Sequence, residues 1–111
     1  MKLLITIINE PDLLSKVLES LELSGIKGGT ILESKGMANE LLHNEEFAFF
    51  GTLRKVISKE HAKNLTLLFA LDDSKVEDAI ISIERVVGSF DNPNTGIAIV
   101  LPIESIKGLI K

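Results

Sequence analysis

Leu65-Thr66-Leu67-Leu68-Phe69-Ala70-Leu71, followed by Asp72-Asp73-Ser74 and an apolar stripe running to Gly88, is the stretch that decides the fold. The run from Leu65 to Leu71 is almost entirely apolar, the signature of a strand buried in a sheet. Ser74 and Glu77 then have the spacing of a capping box, in which each side chain satisfies the other residue's free N–H. Val76, Ala79, Ile80, Ile83, Val86 and Val87 recur at helical spacing, and Gly88 ends the helix. Gly96-Ile97-Ala98-Ile99-Val100-Leu101 predicts a further strand, stopped by Pro102.

Working back toward the N-terminus, the same order of elements recurs. Leu3 to Ile8 is a short run rich in β-branched residues, and Pro11 suits the first turn of a helix. Leu13, Leu14, Val17, Leu18 and Leu21 form one helical stripe, and Gly25 is a natural stop. Thr30-Ile31-Leu32-Glu33 reads as a second strand, closed by Lys35-Gly36. Residues 1–36 and 64–103 are therefore each strand–helix–strand. Two such halves predict a single α+β domain over residues 1–111, a ferredoxin-like βαββαβ sandwich with both helices on one face of an antiparallel sheet.

Composition agrees and excludes several functions. The 111 residues are 45% hydrophobic and 25% charged, a size and balance suited to one compact domain. A mean hydropathy of +0.28 is too apolar for a disordered chain. The absence of cysteine removes disulfides, thiolate nucleophiles and cysteine-bound metals. A net charge of −4 and a pI near 5.1 argue against nucleic acid as a partner. The first eight residues are too short an apolar run for a signal peptide, and no run approaches the length of a membrane span. A cytoplasmic location is expected, with no membrane span.

In a ferredoxin-like sheet the first and third strands are central, and helices cover only one face. A strand with one wet face should alternate apolar and polar residues. Here Leu4, Ile8 and Leu68 are expected on the face opposite Leu3, Ile5, Ile7 and Leu67, with Thr6 and Thr66 as the breaks. Both faces are apolar. Leaving several such side chains wet would forgo roughly 1.5–3 kcal/mol each, so an oligomer that buries the open face is expected.

Residues 37–62 stand outside the repeat, inserted between the second and third strands. Met37 to Glu46 is polar-rich without alternation, whereas Phe49, Phe50, Leu53, Val56 and Ile57 predict a short amphipathic helix. Catalytic chemistry is hard to place anywhere. His43 and His61 lie in no HxxxH or HExxH arrangement, and no serine has a histidine nearby in sequence. His43 with Glu45 and Glu46 reads as a solvated loop rather than a metal site, and Asp72-Asp73 is explained by helix capping and the helix dipole. Acylphosphatases share the fold, but where they carry a phosphate-binding arginine this chain has Asn9-Glu10-Pro11. The central strands have aliphatic residues where RNA-recognition domains use stacking aromatics. No catalytic residue and no metal ligand is assigned.

Three segments carry a family resemblance: Met1 to Pro11; Gly25-Ile26-Lys27-Gly28-Gly29-Thr30-Ile31-Leu32-Glu33-Ser34-Lys35-Gly36; and Gly96 to Glu104. Together they resemble the PII family of signal-transduction proteins, in which the second segment leads into a long T-loop. The resemblance implies a non-enzymatic homotrimer that binds a small-molecule effector, typically an adenine nucleotide, in clefts between subunits, and acts on a protein target through residues 37–62. It also implies the cleft: Thr30, Gly36, Met37 and Ala38 on one wall, and Asn94, Thr95 and Gly96 of the neighbouring subunit on the other. Typical members carry a Gly-Asp-Gly-Lys phosphate loop where this chain has Asn94-Thr95-Gly96-Ile97, and paired arginines where it has Gly108 and Ile110. Losing three cations removes charge-assisted hydrogen bonds worth about 1.5–3 kcal/mol each, which argues against tight ATP binding in the family manner. Glu40 falls near a glutamine that helps hold magnesium and 2-oxoglutarate, and the T-loop tyrosine has no counterpart. Arg54 and Lys55 are candidate anion contacts in the insertion. Two alternatives follow: a constitutive interaction module with Phe47, Phe49 and Phe50 filling the cleft, or a metal-binding trimer like the CutA family.

Overall fold

The computed structural model describes residues 1–42 and 63–109. Four strands carry the chain: β1 (Lys2–Ile8), β2 (Thr30–Ser34), β3 (Asn64–Leu71) and β4 (Gly96–Pro102). A 3₁₀ turn, Pro11–Leu13, leads into α1 (Leu14–Leu23); α2 (Met37–Leu42) follows β2, and α3 (Asp73–Val87) joins β3 to β4. The strands are ordered β2-β3-β1-β4 with every neighbouring pair antiparallel. β1 and β3 are central, as the sequence predicts. The predicted helix over Phe49–Ile57 lies outside the described residues.

Alternation along the central strands builds the core. Leu4, Thr6 and Ile8 of β1 and Leu65, Leu67, Phe69 and Leu71 of β3 are buried on one face. Val17 and Leu21 of α1, and Ala79 and Ile83 of α3, pack onto that face with Ile26. The two helices meet along small residues. Ser20 Oγ donates to the Ser82 carbonyl at 2.7 Å, and Ser82 Oγ donates to the Asp78 carbonyl at 2.7 Å. The Ser24 hydroxyl therefore supplies the proton in its 2.6 Å bond to Ser82 Oγ. Ser82 is thus satisfied although fully buried.

The register corrects the sequence assignment of one strand. Thr6 pairs with Leu67 and Ile5 with Leu68, and directly paired residues share a face. Leu67 therefore lies with Leu4 and Ile8 beneath the helices, and Leu68 lies with Leu3, Ile5 and Ile7 on the open face, the reverse of the expected grouping. The expectation that both faces are apolar stands. On the open side Ile97, Ile99 and Leu101 of β4 and Leu32 of β2 continue the patch and are between 39% and 49% exposed.

Helix ends supply two further corrections. No Ser74–Glu77 capping box forms: the N-cap position is Asp72, two residues before Ser74, and it makes no side-chain cap bond. The Lys75 N–H instead bonds the Asp72 carbonyl at 2.9 Å. Asp73 does not cap either. Its carboxylate lies 3.1 Å from the amino group of Met1, whose hydrogen bond holds the Asp73 carboxyl below its ordinary range. The third finding is α2, where the sequence suggests only irregular chain. Met37, Ala38, Glu40, Leu41 and Leu42 are all strong helix formers, and the Gly36 carbonyl accepts the Glu40 N–H at 3.0 Å.

Gly96 anchors β4 to β1. Its φ is +140°, and a Cβ there would stand 2.0 Å from the Ile7 carbonyl oxygen. Only glycine allows the two backbones this close. Gly96→Ala should therefore cost about 3 kcal/mol or more, read as a lower urea midpoint at fixed protomer concentration. Thr6 Oγ1 is the opposite case, a fully buried hydroxyl with no hydrogen-bond partner. Thr6→Val should raise stability by about 1–2 kcal/mol, because it removes an uncompensated polar group without opening a cavity. Thr6→Ala should lower it.

Candidate functional site

The expected cleft residues fall into three places. Thr30 opens β2 and pairs with Leu68, in the same row as Ile5 and Ile99. It lines a groove of about 570 Å³ together with the Gly25–Gly29 loop. Gly36 follows the other end of β2, and Met37 and Ala38, both exposed, begin α2. At ~3.3 Å per residue, Thr30 and Gly36 are separated by roughly 20 Å. Within one protomer they do not line the same groove.

Asn94, Thr95 and Gly96 lie at the start of β4. Asn94 takes the left-handed conformation with φ 65°, and its carbonyl accepts a 2.8 Å bond from Asn9 Nδ2. This bond fixes the loop before β4 against the turn after β1. Asn94 and Thr95, with Glu10, Val87 and Pro93, line a small polar pocket of about 190 Å³. Gly96 pairs with Ile8, in the row of Leu65 and Glu33, so it stands at the same end of the sheet as Gly36. The two walls nevertheless belong to opposite edge strands. Three strand spacings of ~4.8 Å put them about 14 Å apart. One protomer does not bring them together.

Between these places the insertion leaves and rejoins the sheet. Ser34 Oγ donates to Asn64 Oδ1 and lies 2.8 Å from Thr66 Oγ1. Ser34 and Asn64 are also register partners. The base of the insertion is therefore pinned by side-chain bonds as well as by the ladder. Glu40 is exposed on α2. Arg54, Lys55, His43, His61 and Phe47, Phe49 and Phe50 lie outside the described residues.

Two cations that the sequence reading did not single out flank the groove at Thr30. Lys27 comes from the loop between α1 and β2, and Lys75 from the first turn of α3. They are far apart in sequence, and only the closure of β2 onto β3 brings them to one opening. The available signal was local: a lysine set among Gly25, Gly28 and Gly29. A second groove of about 410 Å³, lined by Leu18, Leu21, Ile26, Ile31 and Phe69, lies between α1 and the edge strand and is mainly apolar.

Among the described residues no group of three or more His, Cys, Asp or Glu side chains is placed to hold a metal ion. No helix among them is long and apolar enough to cross a membrane. No curated protein matches the chain. The family model described as nitrogen regulatory protein P-II matches residues 1–109, essentially the whole sequence. That match takes in both candidate walls, the insertion and all four strands, and the chain belongs to the nitrogen regulatory protein P-II family.

Proposed function

We propose that this protein is a signalling regulator that assembles as a homotrimer, senses a small molecule at the clefts between subunits, and acts on a partner protein through residues 37–62. The observation that carries this reading is family membership over residues 1–109, since proteins of this family are in general regulators without catalytic activity that act as homotrimers and bind other proteins. Two features of the fold support it. The open face joins Leu3, Ile5, Ile7 and Leu68 to Ile97, Ile99 and Leu101, an apolar surface that a monomer would leave wet. The candidate walls lie on opposite edges of the sheet, so copies arranged head to tail in a closed ring would bring the β2 edge of one, with Gly36 to Ala38 at its end, against the β4 edge of the next, with Asn94 to Gly96.

A regulator of this kind works by differential binding. The effector favours one conformation of the insertion over another, and the partner reads the difference. Adenine nucleotides are the effector class to try first, without the usual phosphate-binding cations. Lacking tyrosine, the chain has no route to control by tyrosine modification.

Two measurements test the reading. Analytical ultracentrifugation should give three times the 12.1 kDa protomer mass. Ile99→Glu, which places a charge on the open face opposite Ile5, should dissociate the assembly. A monomeric wild type would sink the trimer. Thermal-shift screening of AMP, ADP, ATP, cyclic dinucleotides, 2-oxoglutarate and bicarbonate should find at least one stabilising ligand. At 100 times its Kd such a ligand adds about 2.7 kcal/mol. If no compound moves the Tm, the sensor reading fails.

A further inference from the structure

The groove beside Thr30 has a particular chemistry. Its floor is apolar, formed by Leu68, Ala70 and Leu71, with Leu109 also on the wall. Lys27 and Lys75 stand at its margin. Neither lysine's ammonium group forms a hydrogen bond or ion pair among the described residues, where the ion pair present joins Met1 to Asp73. Lys75 is exposed. Its Nζ lies 3.7 Å from the position a Cβ on Gly25 would occupy, so the ammonium is folded over the glycine loop. Asp72 also lines the groove and is exposed. The Met1 amino group is already neutralised by Asp73. The lining thus carries one net positive charge, concentrated on two ammonium groups without carboxylate partners.

An apolar floor with unpaired cations at its margin is the arrangement that binds an amphiphilic anion, since concave apolar walls strengthen the field of charges beside them. We propose that Lys27 and Lys75 hold the anionic group, phosphate or carboxylate, of a small molecule whose apolar or aromatic body lies on Leu68 and Ala70. This rests on the sensor reading and names its ligand class. It moves the source of positive charge from the start of β4, where this chain has none, to the loop after α1 and the first turn of α3.

Isothermal titration of the full chain, at low and then physiological ionic strength, tests it with four probes: AMP, adenosine, inorganic pyrophosphate and 2-oxoglutarate. The variants are Lys27→Gln, Lys75→Gln and the double substitution, all at exposed positions that leave the core untouched. Binding of AMP or 2-oxoglutarate should weaken roughly tenfold with each single change, about a hundredfold with both, and further with added salt. Adenosine affinity, where measurable, should be the same in all four proteins. AMP binding more tightly assigns the anion as phosphate, and 2-oxoglutarate binding more tightly assigns it as carboxylate. Pyrophosphate alone, with no apolar body, should bind more weakly than the better of these two. Anion binding unchanged in the double variant, or adenosine binding no more weakly than both AMP and 2-oxoglutarate, overturns the lysine assignment and leaves the sensor reading intact. If none of the four binds at millimolar concentration, the lysine assignment and its ligand class are overturned, and the sensor reading is decided by the wider thermal-shift panel.

Discussion

The structure depends on the pairing of β1 with β3, two central strands that are apolar on both faces. Thr6 opposite Leu67 and Ile5 opposite Leu68 fix which residues meet the helices and which meet whatever lies beyond the sheet. A shift of one residue would exchange the two sets, and because both are apolar, alternation alone does not forbid the shift. What fixes the register is the fit on the helical side. Ala79 and Ser82 let α3 lie close, and Val17, Leu21 and Ile83 fill the space above Leu4, Ile8 and Leu67. From that register follow the position of β2 on one edge, β4 on the other, and every candidate binding residue.

This explains what could be read in the sequence. The repeat of strand, helix and strand was legible because each element carries its own periodicity and stop signal, as with Val76 to Val87 ending at Gly88. The facing of Leu67 and Leu68 was not, since nothing within a uniformly apolar strand marks which side is which. The capping box at Ser74 and Glu77 had the right spacing, but a backbone bond to Asp72 starts the helix earlier. Helix α2 was hidden by its length, which is too short for a stripe to show.

Legibility of the site divides in the same way. Thr30, Gly36 and Asn94 to Gly96 were reached through resemblance, and the fold sets them on two edges and at different heights of the sheet. Gly96 is a caution about such transfer. Its backbone approach to Ile7 is sufficient reason for a glycine, whether or not a ligand ever lies beside it. Lys27 and Lys75 were missed because their proximity is a product of topology, through the β2–β3 pairing, and leaves no mark in spacing.

The bonds of Ser34 to Asn64 and Thr66 have a consequence for how the insertion can vary. Ser34 and Asn64 face each other across the sheet, so from the standpoint of the β-ladder the whole intervening segment is a hairpin connection. The entropy of closing such a connection grows only with the logarithm of its length, about 0.6 kcal/mol for each doubling. The sheet and its core are therefore nearly indifferent to how long that segment is or what it contains. A lineage could lengthen, shorten or replace it wholesale while the scaffold beneath keeps its stability.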